Sequence, residues 1–388
     1  MPDKIRVGIL FGGRSAEHEV SVSSARSVLE SIDHDKYDVT MIGIDRGGKW
    51  LAAADATKLL ASGRVEEGGA DLKPVSLDYM GGCELEVLDG SGDAGSQLDV
   101  IFPILHGPYG EDGTVQGLLE LAGIAYVGAG VLGSAVGMDK DMARRVLRAE
   151  GLPQVEYAAV LRSRWRAEPD RVRHELERDF GYPLFIKPAN MGSSVGITKA
   201  RDASEFTAGM DEASRYDRKL IVEVDVGNCR EVEVAVLGYE DPEVSVVGEI
   251  EPANEFYDYR AKYMDDNSEL HIPARIRPET AEKVRQMARR VFLAVEATGL
   301  SRVDFFVSRD DEERILVNEI NTMPGFTPIS MYPKLWAASG VDYGQLIDRL
   351  IQLALDRHRD RQDASTQPTT LSARPNRVGC ADSQGDQD

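Results

Sequence analysis

Short apolar runs alternate with amphipathic stretches along most of the chain. Residues 4–11 alternate into an apolar run, I-R-V-G-I-L-F, that reads as a buried parallel strand. A Gly turn leads to a helix at about 20–31, and residues 37–44 read as a second strand, completing a βαβ unit. Residues 45–96 are rich in Gly and Asp, with a short helical patch at 52–60, a strand near 84–88 and no evident chemistry. Residues 98–105 form a further apolar strand, 138–150 a helix that stops at Gly151, 155–161 a strand and 170–177 a helix. Strands follow at 184–187, 197–199, 219–224, 231–237 and 245–251. Residues 252–273 are polar and aromatic without a period, the kind of long loop that often serves as a lid. Residues 280–298 form an amphipathic helix whose apolar side is Val284, Met287, Val291, Phe292 and Val295. Two apolar strands joined by a charged turn occupy 302–325, a last helix covers 343–357, and from about Asp360 the chain has almost no apolar residues and reads as a disordered tail.

Composition narrows the function classes. The 388 residues are 42% hydrophobic and 29% charged, ordinary for a soluble protein with two or three cores. A formal charge of −21 argues against a nucleic-acid partner, which requires a basic face. Residues 117–137 carry one charge, Glu120, over nearly the length of a membrane span. Their six glycines fit better a helix, a buried strand at 125–127 and a Gly turn, so no membrane segment is expected. Cys83, Cys229 and Cys380 lie far apart without metal spacing, and the chain opens on a charged strand, which together suggest a reducing cytoplasm.

Three stretches carry candidate chemistry. In the hairpin, period two places Glu319 and Asn321 on one face, with Asn318 and Ile320 on the other, and Asp304 on the first strand can join Glu319 and Asn321. Two carboxylates and an amide are hard oxygen ligands suited to Mg²⁺, although a half-buried, solvated hairpin face shows the same alternation. In K-P-A-N-M-G-S-S-V-G (187–196), the Gly and Ser residues allow backbone N–H groups to turn toward a phosphate, and Lys187 beside Phe185 and Ile186 needs an anion. A simple Gly/Ser hairpin tip is the alternative, and the Walker A pattern is missing. Glu17 follows the first strand where an acid would repel a pyrophosphate and welcome an ammonium, or would merely complement a helix dipole. His106 and Glu111 lie beyond a strand end, where α/β sheets bind ligands, although a loop histidine is commonly structural.

Taken in order, these motifs resemble the D-alanine–D-alanine ligases of the ATP-grasp superfamily. The carrying stretches are G-G-R-S-A-E-H-E-V-S (12–21), H-G-P-Y-G-E-D-G-T-V-Q-G (106–117), M-D-K (138–140), K-P-A-N-M-G-S-S-V-G (187–196), R-E-V-E-V-A-V-L-G (230–238), E-F-Y-D-Y-R-A-K-Y (255–263), R-V-D-F-F (302–306) and N-E-I-N-T-M-P-G-F-T (318–327). The resemblance implies an α/β (α+β) fold: a Rossmann-like, substrate-binding N-terminal domain over 1–130, then two ATP-grasp subdomains. A phosphate-binding one would cover 131–222, one with the Mg²⁺ site and lid 223–358, and a disordered tail 359–388. It implies ligation of two D-alanines at the expense of ATP, through an acyl phosphate, in the cytoplasm and as a homodimer.

The resemblance also assigns roles. Asp304, Glu319 and Asn321 would hold two Mg²⁺ ions, for which Mn²⁺ may substitute, and Lys140, Lys187, Ser194 and the lid residue Lys262 would contact the phosphates. Glu223 and the backbone near Val226 match the adenine-binding linker, and Glu231 the ribose-binding acid. Arg302 and the Gly325 N–H would stabilise the oxyanion, and Glu17, Ser193 and Tyr263 form the implied triad that orients substrate. Glu17 would take the first ammonium, with His106 also on the substrate side; Ser330 and Met331 match positions near the second carboxylate. Tyr263 favours an amine nucleophile, since a phenol cannot repel an ammonium as an imidazolium can. The chain departs from the pattern at Val224, where relatives carry a polar or basic residue, and in a stretch from Glu223 to Glu231 one residue longer than expected. D-serine as second substrate, and a non-catalytic ATP-binding module, stand as alternatives; a nicotinamide-dependent reductase lacks its Gly fingerprint.

Overall fold

The computed structural model describes residues 4–53, 60, 65, 72–77, 84–88, 96–251 and 269–364. Three sheets organise them. The first holds β1 (Ile5–Gly12), β2 (Tyr37–Ile44), β3 (Trp50–Ala53), β4 (Leu72–Leu77), β5 (Glu84–Val87), β6 (Ser96–Gln97), β7 (Val100–Ile104) and β8 (Ala125–Tyr126) in the order β6-β5-β4-β3-β2-β1-β7-β8. The β2-β1-β7-β8 portion is parallel, and the buried run Val7–Gly12 of β1 with the wholly apolar β7 forms its centre, as expected of strands covered on both faces. The second sheet is β11-β10-β12-β9, from β9 (Tyr157–Leu161), β10 (Leu184–Pro188), β11 (Thr198–Ala200) and β12 (Lys219–Val224). The third is β15-β14-β13-β16-β17, from β13 (Cys229–Gly238), β14 (Glu243–Glu251), β15 (Glu269–His271), β16 (Gly299–Ser308) and β17 (Ile315–Asn321). Both smaller sheets are antiparallel throughout.

Helices cover and join the sheets: α1 (His18–Ser31), α2 (Thr114–Leu121), α3 (Val131–Met138), α4 (Lys140–Ala149), α5 (Arg162–Ala167), α6 (Pro169–Phe180), α7 (Ala203–Tyr216), α8 (Pro278–Ala294), α9 (Met331–Ala338) and α10 (Tyr343–Asp363). The apolar face of α10, with Leu346, Ile347, Leu350, Ile351 and Ala354, joins one core with Val7, Ile9, Phe11 and Phe102 of the first sheet. Phe326 of the third region meets Phe102 edge to face at 5.7 Å between ring centres in the same core. No helix among the described residues is long and apolar enough to cross a membrane.

Several expectations are corrected. The expected helix over 138–150 is α4, which starts two residues later because Asp139 is extended and its carboxylate accepts from the N–H groups of Asp141 and Met142; α3, over Val131–Met138, stands where a Gly turn was expected. Residues 52–53 belong to strand β3, paired with β2, and 54–59 lie outside the described residues. Helices α5 and α7 are additional to the pattern reading; α7 buries Phe206, Met210 and Ala213 and is capped by Asp202. The last helix runs past Arg357 to Asp363, because Arg357 is buried and anchored rather than terminal.

Candidate active site

A cleft of ≈ 520 Å³ opens between the second and third sheets. Lys187, Glu223, Ser193 and Ser194 line it on one side; Glu231, Asp304, Asn318, Glu319 and Asn321 line it on the other, with Lys140 between. β16 and β17 pair so that Asp304 faces Glu319 and Arg302 faces Asn321, as the alternation predicts. Asn321 Nδ2 donates to Asp304 Oδ2 at 3.1 Å. Arg302 grips Asp304 in a fork at 2.8 and 2.7 Å and lies 2.9 Å from Glu233 Oε2. Burial works against the Arg302 charge, but Asp304 and Glu233 outweigh it and raise its pKa well above the usual value.

Asn318 is not on the opposite face. Phe305 pairs with Val317 and Asp304 with Glu319, so Asn318 is the extra residue of a bulge and joins Glu319 in lining the cleft. Its Oδ1 is buried without a hydrogen-bond partner. The three oxygen-bearing groups with this orphaned acceptor beside them are a hard donor set on one wall, which fits Mg²⁺.

The opposite wall carries cations. Lys140 Nζ donates to the Met191 carbonyl at 2.8 Å and lies 3.4 Å from Glu319. The anion that buried Lys187 requires is Glu223, at 2.9 Å, a partner the sequence reading assigned to the base rather than to the lysine. Burial raises the Glu223 carboxyl, but the charges of Arg144 and Lys187 prevail and hold it below its ordinary pKa. The 190–196 loop is tethered by Asp217, which accepts from both Asn190 nitrogens at 2.8 and 2.9 Å. Ser193 and Ser194 both adopt left-handed backbone, at φ 46° and 59°. Such non-glycine geometry costs of order 1–2 kcal/mol per residue.

Other expected residues are dispersed around this cleft. Glu17 is buried and accepts from Ser193 Oγ, joining the first sheet to the second; its carboxylate makes no cap to α1. Gly192 must lack a side chain here, since a Cβ would sit 2.9 Å from the Glu17 carboxylate. His106 is buried, with Nδ1 3.0 Å from the Met323 carbonyl and 3.6 Å from Glu111, so it steadies the 322–327 loop that carries Gly325. Burial lowers the His106 pKa, but Glu111 overrides it and the net shift is upward. Ser330 Oγ is engaged with Thr327 at 2.8 Å. Met331 is a core residue packed toward Gly248 and does not line the cleft. The Val226 carbonyl faces Cys229 Sγ at 3.5 Å, in the linker between the two sheets. Lys262, Tyr263 and most of the expected lid lie outside the described residues.

Sequence reasoning missed Arg144, Lys199 and Glu233. Arg144 stands four residues after Lys140, the spacing that places both on one helix face. Glu233 follows Glu231 at period two, so the strand pattern offered it as well. Lys199, which lines the cleft and pairs with Asp225 at 2.9 Å, stands two residues into β11 with no such signal.

Two antiparallel sheets closing on a cleft lined by lysines and carboxylates, beside a Rossmann-like sheet, are the architecture of the ATP-grasp class. The D-Ala–D-Ala ligase N-terminal and C-terminal family models match residues 6–129 and 146–352. The D-alanine–D-alanine ligase of Acetivibrio thermocellus is 48% identical, covering 93% of this chain and 98% of that protein, and that of Geobacillus kaustophilus is 47% identical, covering 92% and 97%. Among solved structures, the VanG D-Ala:D-Ser ligase of Enterococcus faecalis superposes with a TM-score of 0.81 at 36% identity, over 91% of this chain and all of that one. The D-alanine–D-alanine ligase of Coxiella burnetii gives 0.77 at 36% identity, over 92% and 97%. The chain belongs to the D-alanine–D-alanine ligase family.

Proposed function

We propose that the protein joins two D-alanines to D-alanyl-D-alanine for peptidoglycan precursor synthesis, with ATP in the cleft between the second and third sheets. The observation that carries this reading is the wall of Asp304, Glu319 and Asn321 facing Lys140 and Lys187 in a family of ligases. The carboxylate of the first D-alanine attacks the γ-phosphate and ADP leaves, giving an acyl phosphate; the amine of the second attacks the acyl carbon, gives up a proton, and displaces phosphate. Lys140, Lys187 and the backbone N–H groups at Ser193 and Ser194 would hold the phosphates, and Lys262 would add a contact from the lid. Glu231 would take the ribose, and Glu223 with the Val226 backbone the base. Asp304, Glu319 and Asn321 would hold two Mg²⁺ ions, or Mn²⁺ in their place, which neutralise charge on the transferred phosphoryl group.

Glu17, Ser193 and Tyr263 would orient the first substrate, with His106 behind them. Arg302 and the Gly325 N–H would stabilise the oxyanion; a donor of that kind is worth about 10²–10³ in rate. Ser330 and the Met331 backbone would meet the second carboxylate. The domain division at 130 and 222, action in the cytoplasm and a homodimeric state belong to the same reading. The likeness to a D-Ala:D-Ser ligase supports D-serine as an alternative second substrate.

Phosphate release assayed with D-alanine, L-alanine, D-serine and D-lactate decides among these. D-alanine alone should sustain turnover, and Glu319→Gln should slow it at least about 100-fold with the fold intact. ATP turnover indifferent to D-alanine ends the reading.

A further inference from the structure

Arg144 lies one helical turn beyond Lys140 on α4, with its side chain only 3% exposed. Its guanidinium reaches both walls of the cleft. Nη2 stands 2.8 Å from Glu223 Oε1 on β12 and 3.4 Å from the Asn318 carbonyl on β17. Nη1 lies 3.4 Å from the Val155 carbonyl, and the plane rests over the Tyr157 ring at 5.0 Å. The other Glu223 oxygen faces Lys187 at 2.9 Å. Arg144 approaches Oε1 closely enough for an ion pair but off the line of a hydrogen bond, so Oε1 remains a buried acceptor without a hydrogen-bond partner in a residue that lines the cleft.

This arrangement solves a problem that Lys187 alone would create. A lysine that turns from Glu223 to a phosphate leaves a buried carboxylate uncompensated, which is strongly unfavourable. A fixed arginine on the other oxygen supplies a standing counter-charge. Once Lys187 has turned, Oε2 is the carboxylate oxygen left for a donor in the cleft.

We propose that Arg144 is a positioning residue that sets nucleobase selectivity. It holds Glu223 through Oε1, releases Lys187 to the phosphates and thereby frees Glu223 Oε2 as an acceptor for an amino group on a purine. A purine with a carbonyl at that place brings two acceptors together and is rejected. The proposal rests on the reading that a nucleotide occupies this cleft with its base toward Glu223.

The test measures calorimetric affinities for ATP and inosine triphosphate, which differ at that one group of the base. The unsubstituted protein should favour ATP by roughly 100-fold. Arg144→Gln should bring the ratio below about 5, and Arg144→Lys, which keeps the charge, should retain most of it. A ratio unchanged in Arg144→Gln, with both affinities falling together, overturns the proposal and makes Arg144 structural while leaving the cleft reading in place. Equal affinities in the unsubstituted protein overturn the base reading and the proposal with it. Should Arg144→Gln fail to fold, Glu223→Gln and the double variant decide, since neither carries an unpaired buried carboxylate. Arg144 acting through Glu223 then predicts less than about a 3-fold difference between them, and a further loss above about 10-fold overturns it.

Discussion

Glu249 shows at the residue scale what a fully buried carboxylate requires. Its oxygens accept from Arg230 Nη1 at 2.7 Å and from the Arg275 backbone and guanidinium at 3.1–3.2 Å. Burial raises its carboxyl, but these donors dominate and bring it down to about 2. A depressed carboxyl adds stability that is present above the ordinary Glu value and disappears as pH falls through the folded one. Glu249→Gln should therefore cost about 2 kcal/mol at pH 7, discounted for the exposed Arg275, and the deficit should shrink between about pH 5 and 2. Urea midpoints of both proteins at pH 7, 5 and 4 check this; a constant deficit would show that packing, not charge, is at stake. Alternation made Asp304, Glu319 and Asn321 legible in the sequence, because each strand's period fixes its own faces. Asn318 was not, because a bulge depends on the register of two strands and neither alone encodes it.

Helix α4 is the element on which the cleft is mounted. Lys219 of β12 binds its cap Asp139 at 2.6 Å and its first-turn Asp141 at 3.2 Å, and Tyr157 of β9 donates to Asp141 at 3.1 Å. Beyond its far end, the Val317 N–H donates to the Pro153 carbonyl at 2.9 Å, tying the chain after α4 to β17. Lys219→Met would leave two carboxylates without their shared cation at a half-buried site, at a cost of about 2–3 kcal/mol. The expected result is faster amide exchange through α4 and at least a 10-fold rise in the KM for ATP; unchanged KM with lower stability would separate the helix from nucleotide binding. The sequence showed a helix with a Gly stop here. It did not show α3, because Gly130, Gly133 and Gly137 make the residues before Met138 read as a turn.

Over the whole molecule, the three sheets are joined pairwise. Arg357 of α10 donates to the Tyr126 carbonyl at 3.0 Å, to the Gly128 carbonyl and to Thr298 Oγ1, with its guanidinium over the Tyr126 ring at 4.3 Å. Thr298 Oγ1 in turn donates to the Gly128 carbonyl at 3.0 Å, so the first and third sheets are bolted by one buried cation. Arg357→Met should cost about 1–3 kcal/mol, since it removes the Arg357 donor from the buried Tyr126 carbonyl and leaves the Gly128 carbonyl to Thr298. Calorimetry should then resolve a second transition as the first sheet uncouples; one cooperative transition at a lower temperature would mean that the cores of the two sheets suffice. The central strands of each sheet were readable from their apolar patterns, but β3, β4 and β6 were not, and neither was this joint. A lone arginine near the end of an amphipathic helix carries no mark of the partner that buries it.

Pairwise joining closes the three bodies into a ring, and a ring has no free hinge. For one jaw to swing, one joint must slip. Two of the joints are broad, built from packed side chains and strand bonds. The third includes, among the described residues, the hydroxyl–carboxylate contact from Ser193 to Glu17. Glu17, proposed to take the first ammonium, sits in that joint, so filling the substrate site and fixing the spacing of the two sheets should be one event.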